Sequence, residues 1–146
     1  MADGPFNPYV AAPAVGTRFV VKKTLVSSAI VQTGVDVTLV SSGGAMTIAD
    51  VILQTNGTGL AAGTNFTLET NNANGIAVFF STAVSGLGAN KTINMDSASV
   101  AHIRTVLESG KKITAKMTVA DGTGAGTVDV YLVFERHAEG ATIAAA

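Results

Sequence analysis

The final third of the chain alternates between apolar and polar residues with a period of two, which is the period of a β-strand with one buried face. Two runs show it, Lys111–Ala120 and Thr127–Arg136. The apolar positions are Ile113, Ala115, Met117 and Val119 in the first run, and Val128, Val130, Leu132 and Phe134 in the second. Because the glycine-rich segment DGTGAG lies between the two runs, they predict a β-hairpin with a long tip.

The rest of the chain after residue 16 also consists of short runs of β-forming residues, separated by Gly, Asn and Ser clusters about every ten residues. Val51-Ile52-Leu53 is apolar on both faces, which predicts a strand in the centre of a sheet. About eight short strands with this spacing favour an all-β fold, an antiparallel β-sandwich or jelly roll. The other predicted strands are Arg18–Gln32 (one long or two short), Val35–Val40, Thr47–Thr55, Asn65–Thr70, Ile76–Val84 and Lys91–Asp96.

One segment, Ser97–Ser109, has a different spacing of apolar residues, which predicts a short helix. Asp96 or Ser97 could cap its N-terminus, and Gly110 occupies the position that commonly ends a helix. The apolar residues at helical spacing are Val100, Ile103, Val106 and Leu107. A strand is the alternative, with Ala101, Ile103, Thr105 and Leu107 on one face.

Composition limits the classes of partner that the protein can bind. The 146 residues favour a single domain, and a formal net charge of −1 argues against nucleic-acid binding through phosphate contacts. The chain is 47% hydrophobic but only 13% charged, which indicates that part of its surface is covered by assembly. No basic residue precedes Arg18 and no long apolar stretch occurs, so we expect synthesis in a cytoplasm and no membrane partner.

The titratable residues do not form a recognisable catalytic or metal-binding pattern. The two histidines, His102 and His137, have no partner at ligand or triad spacing, and the aspartates are dispersed. DGTGAG would need a following helix to cradle a phosphate, but a strand is predicted there. We therefore expect no enzyme activity, no cofactor and no metal, with a small hydrolase or metal enzyme as a minor alternative.

The pattern divides the chain into an N-terminal arm (residues 1–16), a β-sandwich domain (17–137) and a C-terminal tail (138–146), which we expect to be frayed or bound to a neighbour. The arm, MADGPFNPYVAAPAVG, has Asp3 as its single charge. Its prolines restrict it to extended conformations, so that little entropy is lost on docking. We therefore predict that the arm contacts a partner, with Phe6, Tyr9 and Val10 as anchors and Pro5, Pro8 and Pro13 as stiffeners.

The strands rich in Thr, Val, Ala and Gly, together with SGKKITAKMTV and VADGTGAGTVDVYLVFE, resemble the small virion proteins of tailed bacteriophages. In particular, the chain is similar to the decoration (cement) proteins on the outside of icosahedral heads. The resemblance implies a jelly-roll or related β-fold and a homotrimer bound where capsomers meet. It also implies that a terminal arm anchors the protein to the major capsid protein, and it carries over no catalytic residues.

Two other functions fit the same pattern. The protein could belong to the tail of a virion, as a tube or baseplate component. A carbohydrate-binding module or receptor-binding fibre domain is also compatible with a β-sandwich, although the chain has no Trp to provide a sugar-stacking platform.

Overall fold

A computed structural model describes residues 15–38, 42–98, 100–101, 104–119 and 124–146. Within these ranges the chain forms ten β-strands and three short 3₁₀ turns. None of these helical turns is long and apolar enough to span a membrane. The strands are β1 (Arg18–Val26), β2 (Val35–Asp36), β3 (Met46–Thr55), β4 (Asn65–Asn72), β5 (Gly75–Ala83), β6 (Thr92–Asn94), β7 (Val100–Ala101), β8 (Thr105–Leu107), β9 (Ile113–Met117) and β10 (Thr127–Arg136).

The strands form two antiparallel sheets. Sheet 1 has the order β1-β10-β3-β6, with β8 following β6 along the same edge of β3. Sheet 2 has the order β2-β9-β4-β5-β7. The pairings are nested, because β1 pairs with β10, β2 with β9, β3 with β6 and β4 with β5. This nesting is the jelly-roll connectivity, so the predicted fold class is confirmed, and β7 and β8 are two short additions to its eight strands.

The core lies between the sheets and follows the predicted alternation. In β10 the apolar positions Val128 to Phe134 are all fully buried, while the residues between them face outward. The central position predicted for Val51–Leu53 is confirmed, since β3 is flanked by β10 on one side and by β6 and β8 on the other. The largest aromatic side chains that fill the core are Phe66, Phe79, Phe80 and Phe134.

The predicted hairpin between Lys111–Ala120 and Thr127–Arg136 is wrong. β9 lies in sheet 2 between β2 and β4, whereas β10 lies in sheet 1 between β1 and β3. The alternation correctly gave β9 and β10 one buried face each, although Val119, predicted on the buried side, lies beyond the end of β9 and is 53% exposed. It did not specify the neighbours, and the glycine-rich connection is long enough to cross from one sheet to the other.

The predicted helix Ser97–Ser109 is also wrong. Its described part contains the end of a 3₁₀ turn (Met95–Ser97), then β7 and β8. The Asn94 side chain accepts a hydrogen bond from Ser97 N (3.2 Å) and so caps the short turn. Arg104 has a φ of 64°, which an α-helix does not allow, and Leu107 is buried opposite Met46 in sheet 1. Strand pairing therefore outweighs the apolar spacing.

The C-terminal tail packs on its own domain, so the expectation that it is frayed is wrong. Single β-bridges join Thr142 to Ser42 and Ala145 to Thr38. Ala146 N donates to Val37 O (3.1 Å), and Lys23 Nζ donates to the main-chain oxygen of Ala146. The tail thus closes the side of the sandwich where β1 of sheet 1 lies beside β2 of sheet 2.

Candidate interaction surfaces

The structure describes Gly16, the last residue of the predicted N-terminal arm, and its contacts with β10. The predicted contact residues Pro5, Phe6, Pro8, Tyr9, Val10 and Pro13 lie outside the described residues. Gly16 N donates to Arg136 O (2.8 Å), and Arg136 N donates to Thr17 O (3.1 Å). Gly16 has a φ of +82°, which favours glycine. Gly16, the last residue of the predicted arm, is therefore held where β1 begins and β10 ends.

Aromatic and cationic side chains pack around the start of β1. Phe19 stacks on Phe134 with ring centroids 5.6 Å apart, and the Arg136 guanidinium lies 4.0 Å from the Phe19 centroid. Arg136 is only 9% exposed, and its Nε donates to Ala141 O (2.8 Å) in the tail. One buried guanidinium therefore contacts both β1 and the tail, and the start of β1 is firmly packed.

Ion pairs cover one end of the outer face of sheet 1. Glu135 lies between two guanidinium groups, 3.1 Å from Arg18 Nε and 3.4 Å from Arg104 Nη2. The hydrogen bond from Arg18, followed by the positive charge of Arg104, lowers the pKa of Glu135 below its ordinary value despite some desolvation. This part of the face therefore presents charges that are already paired.

A second ion pair lies further along β1. Lys22 Nζ is 2.8 Å from Asp129 Oδ2 and 5.4 Å from the centroid of the Tyr131 ring, and the Thr24 hydroxyl also donates to Asp129. The hydrogen bond to Asp129 raises the pKa of Lys22. Partial burial raises the pKa of Asp129, but the hydrogen bonds from Lys22 and Thr24 outweigh this effect and lower it overall.

These shifts define a pH dependence. A carboxyl group whose pKa is lower in the folded state stabilises the fold above its unfolded pKa, here 3.8 for Asp129 and 4.5 for Glu135. That stabilisation is lost as the pH falls through the folded pKa values. Lys22 behaves in the opposite sense, because its raised pKa stabilises the fold below pH 10.5 and this contribution is lost at higher pH.

Exposed apolar side chains lie on both sheets. Val20 and Val26 point outward from β1 and are 59% and 45% exposed, with Lys22, which is ion-paired, and Thr24 between them on the same face. On sheet 2, Ile76 and Val78 of β5 are 65% and 41% exposed, and Val100 of β7 is 37% exposed. Singly exposed apolar residues are ordinary on protein surfaces.

Among the described residues, His137 and two of the surface depressions provide no reactive arrangement. His102 lies outside the described residues, and His137 Nε2 makes a hydrogen bond with the Thr47 hydroxyl. No group of three or more His, Cys, Asp or Glu side chains in the described ranges could hold a metal ion. One depression, of about 300 Å³, is lined by Gln32, Asn65, Thr67, Lys116, Met117 and Thr118. The other, of about 240 Å³, is lined by Ala49, Asp50, Asn94, Met95 and Asp96.

Sequence reasoning missed these exposed apolar residues. On β1 the signal was present, because Val20 and Val26 alternate with Arg18, Lys22 and Thr24 on the face that the charges mark as solvent-exposed. On β5 the signal was hidden. In GIAVFF the apolar residues are continuous, and only the structure shows that Gly75 to Val78 are exposed while Phe79 and Phe80 are buried.

Comparison with known proteins finds a solved structure with a similar fold. No model of a known protein family matches the chain. No curated protein sequence matches it either. Among solved structures, the chain is similar to a chain of the "Cyanophage Pam1 capsid asymmetric unit", with a TM-score of 0.52 and 20% sequence identity. The match covers 86% of this chain and 91% of that one, so the two share their fold over almost their whole length.

Proposed function

We propose that this protein is a non-enzymatic structural component of a bacteriophage virion, which binds the outside of the capsid and stabilises contacts between capsid subunits. The observation that carries the proposal is the fold shared with a chain of a cyanophage capsid asymmetric unit over 86% of this chain and 91% of that one. The resemblance of the strand sequences to decoration proteins supports the same role. Its partners are then the major capsid protein and further copies of itself, as a homotrimer.

The surface of the domain is compatible with binding to a protein lattice. Two carboxylates on the outer face of sheet 1, Asp129 and Glu135, are already paired with cations. A partner that covers the β1–β10 part of this face therefore does not bury either of them as an unpaired charge, which would be costly. Exposed apolar side chains such as Val20 and Ile76 add area whose burial is favourable when water is excluded.

The N-terminal arm is the proposed anchor. It ends at Gly16, whose main-chain nitrogen donates a hydrogen bond to Arg136 O and fixes the last residue of the arm to the domain. Fourteen residues precede Val15, and an extended chain of that length reaches about 45 Å. This reach exceeds the width of a five-stranded sheet, about 24 Å, so the arm can contact a neighbouring subunit.

The test is co-sedimentation with empty heads of the parent phage, assembled without this gene. Full-length protein should bind these heads saturably, and protein lacking residues 1–14 should bind at least tenfold more weakly. A second variant keeps the full-length arm but replaces Phe6 and Tyr9 by Ala. It should show most of the same loss of head binding. Equal binding by the truncated protein would contradict the role of the arm. Binding to tails instead of heads would move the protein to the tail.

A further inference from the structure

Two Asn-Gly pairs occur in the chain, Asn56-Gly57 and Asn74-Gly75. In such a pair the glycine nitrogen can attack the side-chain carbonyl carbon of the asparagine, since glycine has no Cβ to hinder the approach. The new N–C bond closes a succinimide ring, the bond to the amide nitrogen breaks, and ammonia leaves with the proton of the glycine nitrogen. Water then opens the ring and gives aspartate or isoaspartate. The contacts around each pair decide how readily the reaction proceeds.

The pair Asn74-Gly75 lies at the exposed tip of the hairpin between β4 and β5. Asn72 pairs with Gly75 across the turn, and Ala73 and Asn74 occupy the two central positions. Gly75 has a φ of +120° and nothing within 4 Å of the position of a Cβ, so the turn favours glycine and leaves this side of it open. The Asn74 side chain is exposed and makes no hydrogen bond within the described ranges. It is therefore free to rotate toward the nitrogen of Gly75.

The side chain of Asn56 is held in place by the fold. Its Oδ1 accepts three hydrogen bonds from main-chain nitrogens, and their donors are Thr58 (3.1 Å), Gly59 (2.9 Å) and Thr127 (3.1 Å). Rotation of the Asn56 carbonyl carbon toward the nitrogen of Gly57 would break these bonds, which costs free energy. The same pair of residues is thus restrained at this site and unrestrained at the hairpin tip.

A carboxylate at position 74 would form next to a link between the two sheets. Ala73 N donates to Glu108 Oε2 (2.7 Å), Asn72 Nδ2 donates to Val106 O (2.7 Å), and Glu108 N donates to Asn72 Oδ1 (3.1 Å). A new negative charge on the residue after Ala73 repels the carboxylate of Glu108. Isoaspartate also inserts a methylene group into the main chain of the turn. Both products therefore weaken the link.

We propose that Asn74 is a site of spontaneous deamidation, which converts it slowly to aspartate and isoaspartate and loosens the link between the β4–β5 tip and sheet 1. The reaction consumes one water molecule, releases one ammonia molecule and requires no enzyme. It adds one negative charge to a chain whose formal net charge is −1. This modification goes beyond the proposed function and does not depend on capsid binding.

The first experiment ages the full-length wild-type protein at mildly alkaline pH and follows both Asn-Gly pairs by peptide mapping with mass spectrometry. In the folded protein, Asn74 should be converted about tenfold faster than Asn56 or more, because only Asn56 has hydrogen bonds to break. In denaturant the two sites should react at similar rates. Asn74→Gln, which lengthens the side chain, should prevent conversion at this position. Equal rates at the two sites in the folded protein, or no conversion of Asn74, would overturn the proposal.

The second experiment measures the link through hydrogen exchange of the Ala73 amide by NMR. Exchange should be faster in Asn74→Asp than in the wild type, because the new charge lies beside Glu108, which accepts this hydrogen bond. The matched control is Asn90→Asp, which adds the same charge in an exposed loop beside the end of β3. Exchange of the Ala73 amide should be unchanged in this control and in Asn74→Gln. Unchanged exchange in Asn74→Asp would contradict the loosening of the link.

Discussion

Replacing Asn56 by Ala should destabilise the protein, because it removes an oxygen that holds the loop after β3 and the start of β10 together. Asn56 Oδ1 accepts hydrogen bonds from the main-chain nitrogens of Thr58 (3.1 Å), Gly59 (2.9 Å) and Thr127 (3.1 Å). The first two bonds shape the loop after β3, and the third ties that loop to the start of β10. One oxygen therefore connects both strands of the central pair in sheet 1.

The magnitude follows from these contacts. Each hydrogen bond contributes about 0.5 to 1.5 kcal/mol net, and the exposed donors regain water when Asn56 becomes Ala, so we expect a loss of roughly 2 kcal/mol in the free energy of unfolding. For a domain near 150 residues this corresponds to a decrease in Tm of about 4 to 8 °C.

The matched control is Asn56→Asp, which keeps an acceptor oxygen at the same position. Chemical denaturation of both variants at neutral pH measures the difference directly. We expect Asn56→Asp to stay within about 0.5 kcal/mol of the wild type, the usual range for surface changes. Equal destabilisation by the two substitutions would show that the oxygen does not organise this loop, and the reasoning would be refuted.

Three further predictions concern packing and charge. Gly126→Ala should destabilise by more than about 2 kcal/mol or prevent folding, because the new Cβ would lie 1.6 Å from Gly59 O, and thermal unfolding checks this. Phe134→Ala should cost about 3 to 5 kcal/mol in chemical denaturation, because its ring is fully buried. The free energy of unfolding should fall below about pH 4.5, as Glu135 and Asp129 are protonated, and this slope should weaken in Glu135→Gln and Asp129→Asn.

The fold class could be predicted from the sequence because alternation records which residues face the core. β10 illustrates this, since every apolar position from Val128 to Phe134 is buried as its period of two requires. Alternation does not record which strands are neighbours. β9 and β10 are adjacent in the chain but lie in different sheets, and their separation depends on contacts with β1, β2, β3 and β4, which are distant in sequence.

The failures have local physical causes. In the segment predicted as helix, Val106 and Leu107 fit a helical spacing, but Leu107 gains full burial beside β3, and tertiary packing outweighs the local pattern. In the tail, small alanines gave no hydrophobic signal, although Ala141 is fully buried. For the surfaces, composition indicated that an apolar area is covered by assembly. Only the three-dimensional arrangement shows that Val20 and Ile76 are exposed on different sheets.

The rupture temperature of phage heads tests the central proposal most directly. Empty heads assembled without this protein are heated with and without a saturating amount of it, and the loss of intact particles is followed by light scattering. The account predicts that the protein raises the rupture temperature, and that the variant lacking residues 1–14 does so much less at the same concentration. An unchanged rupture temperature at saturating occupancy would contradict a role in stabilising the capsid.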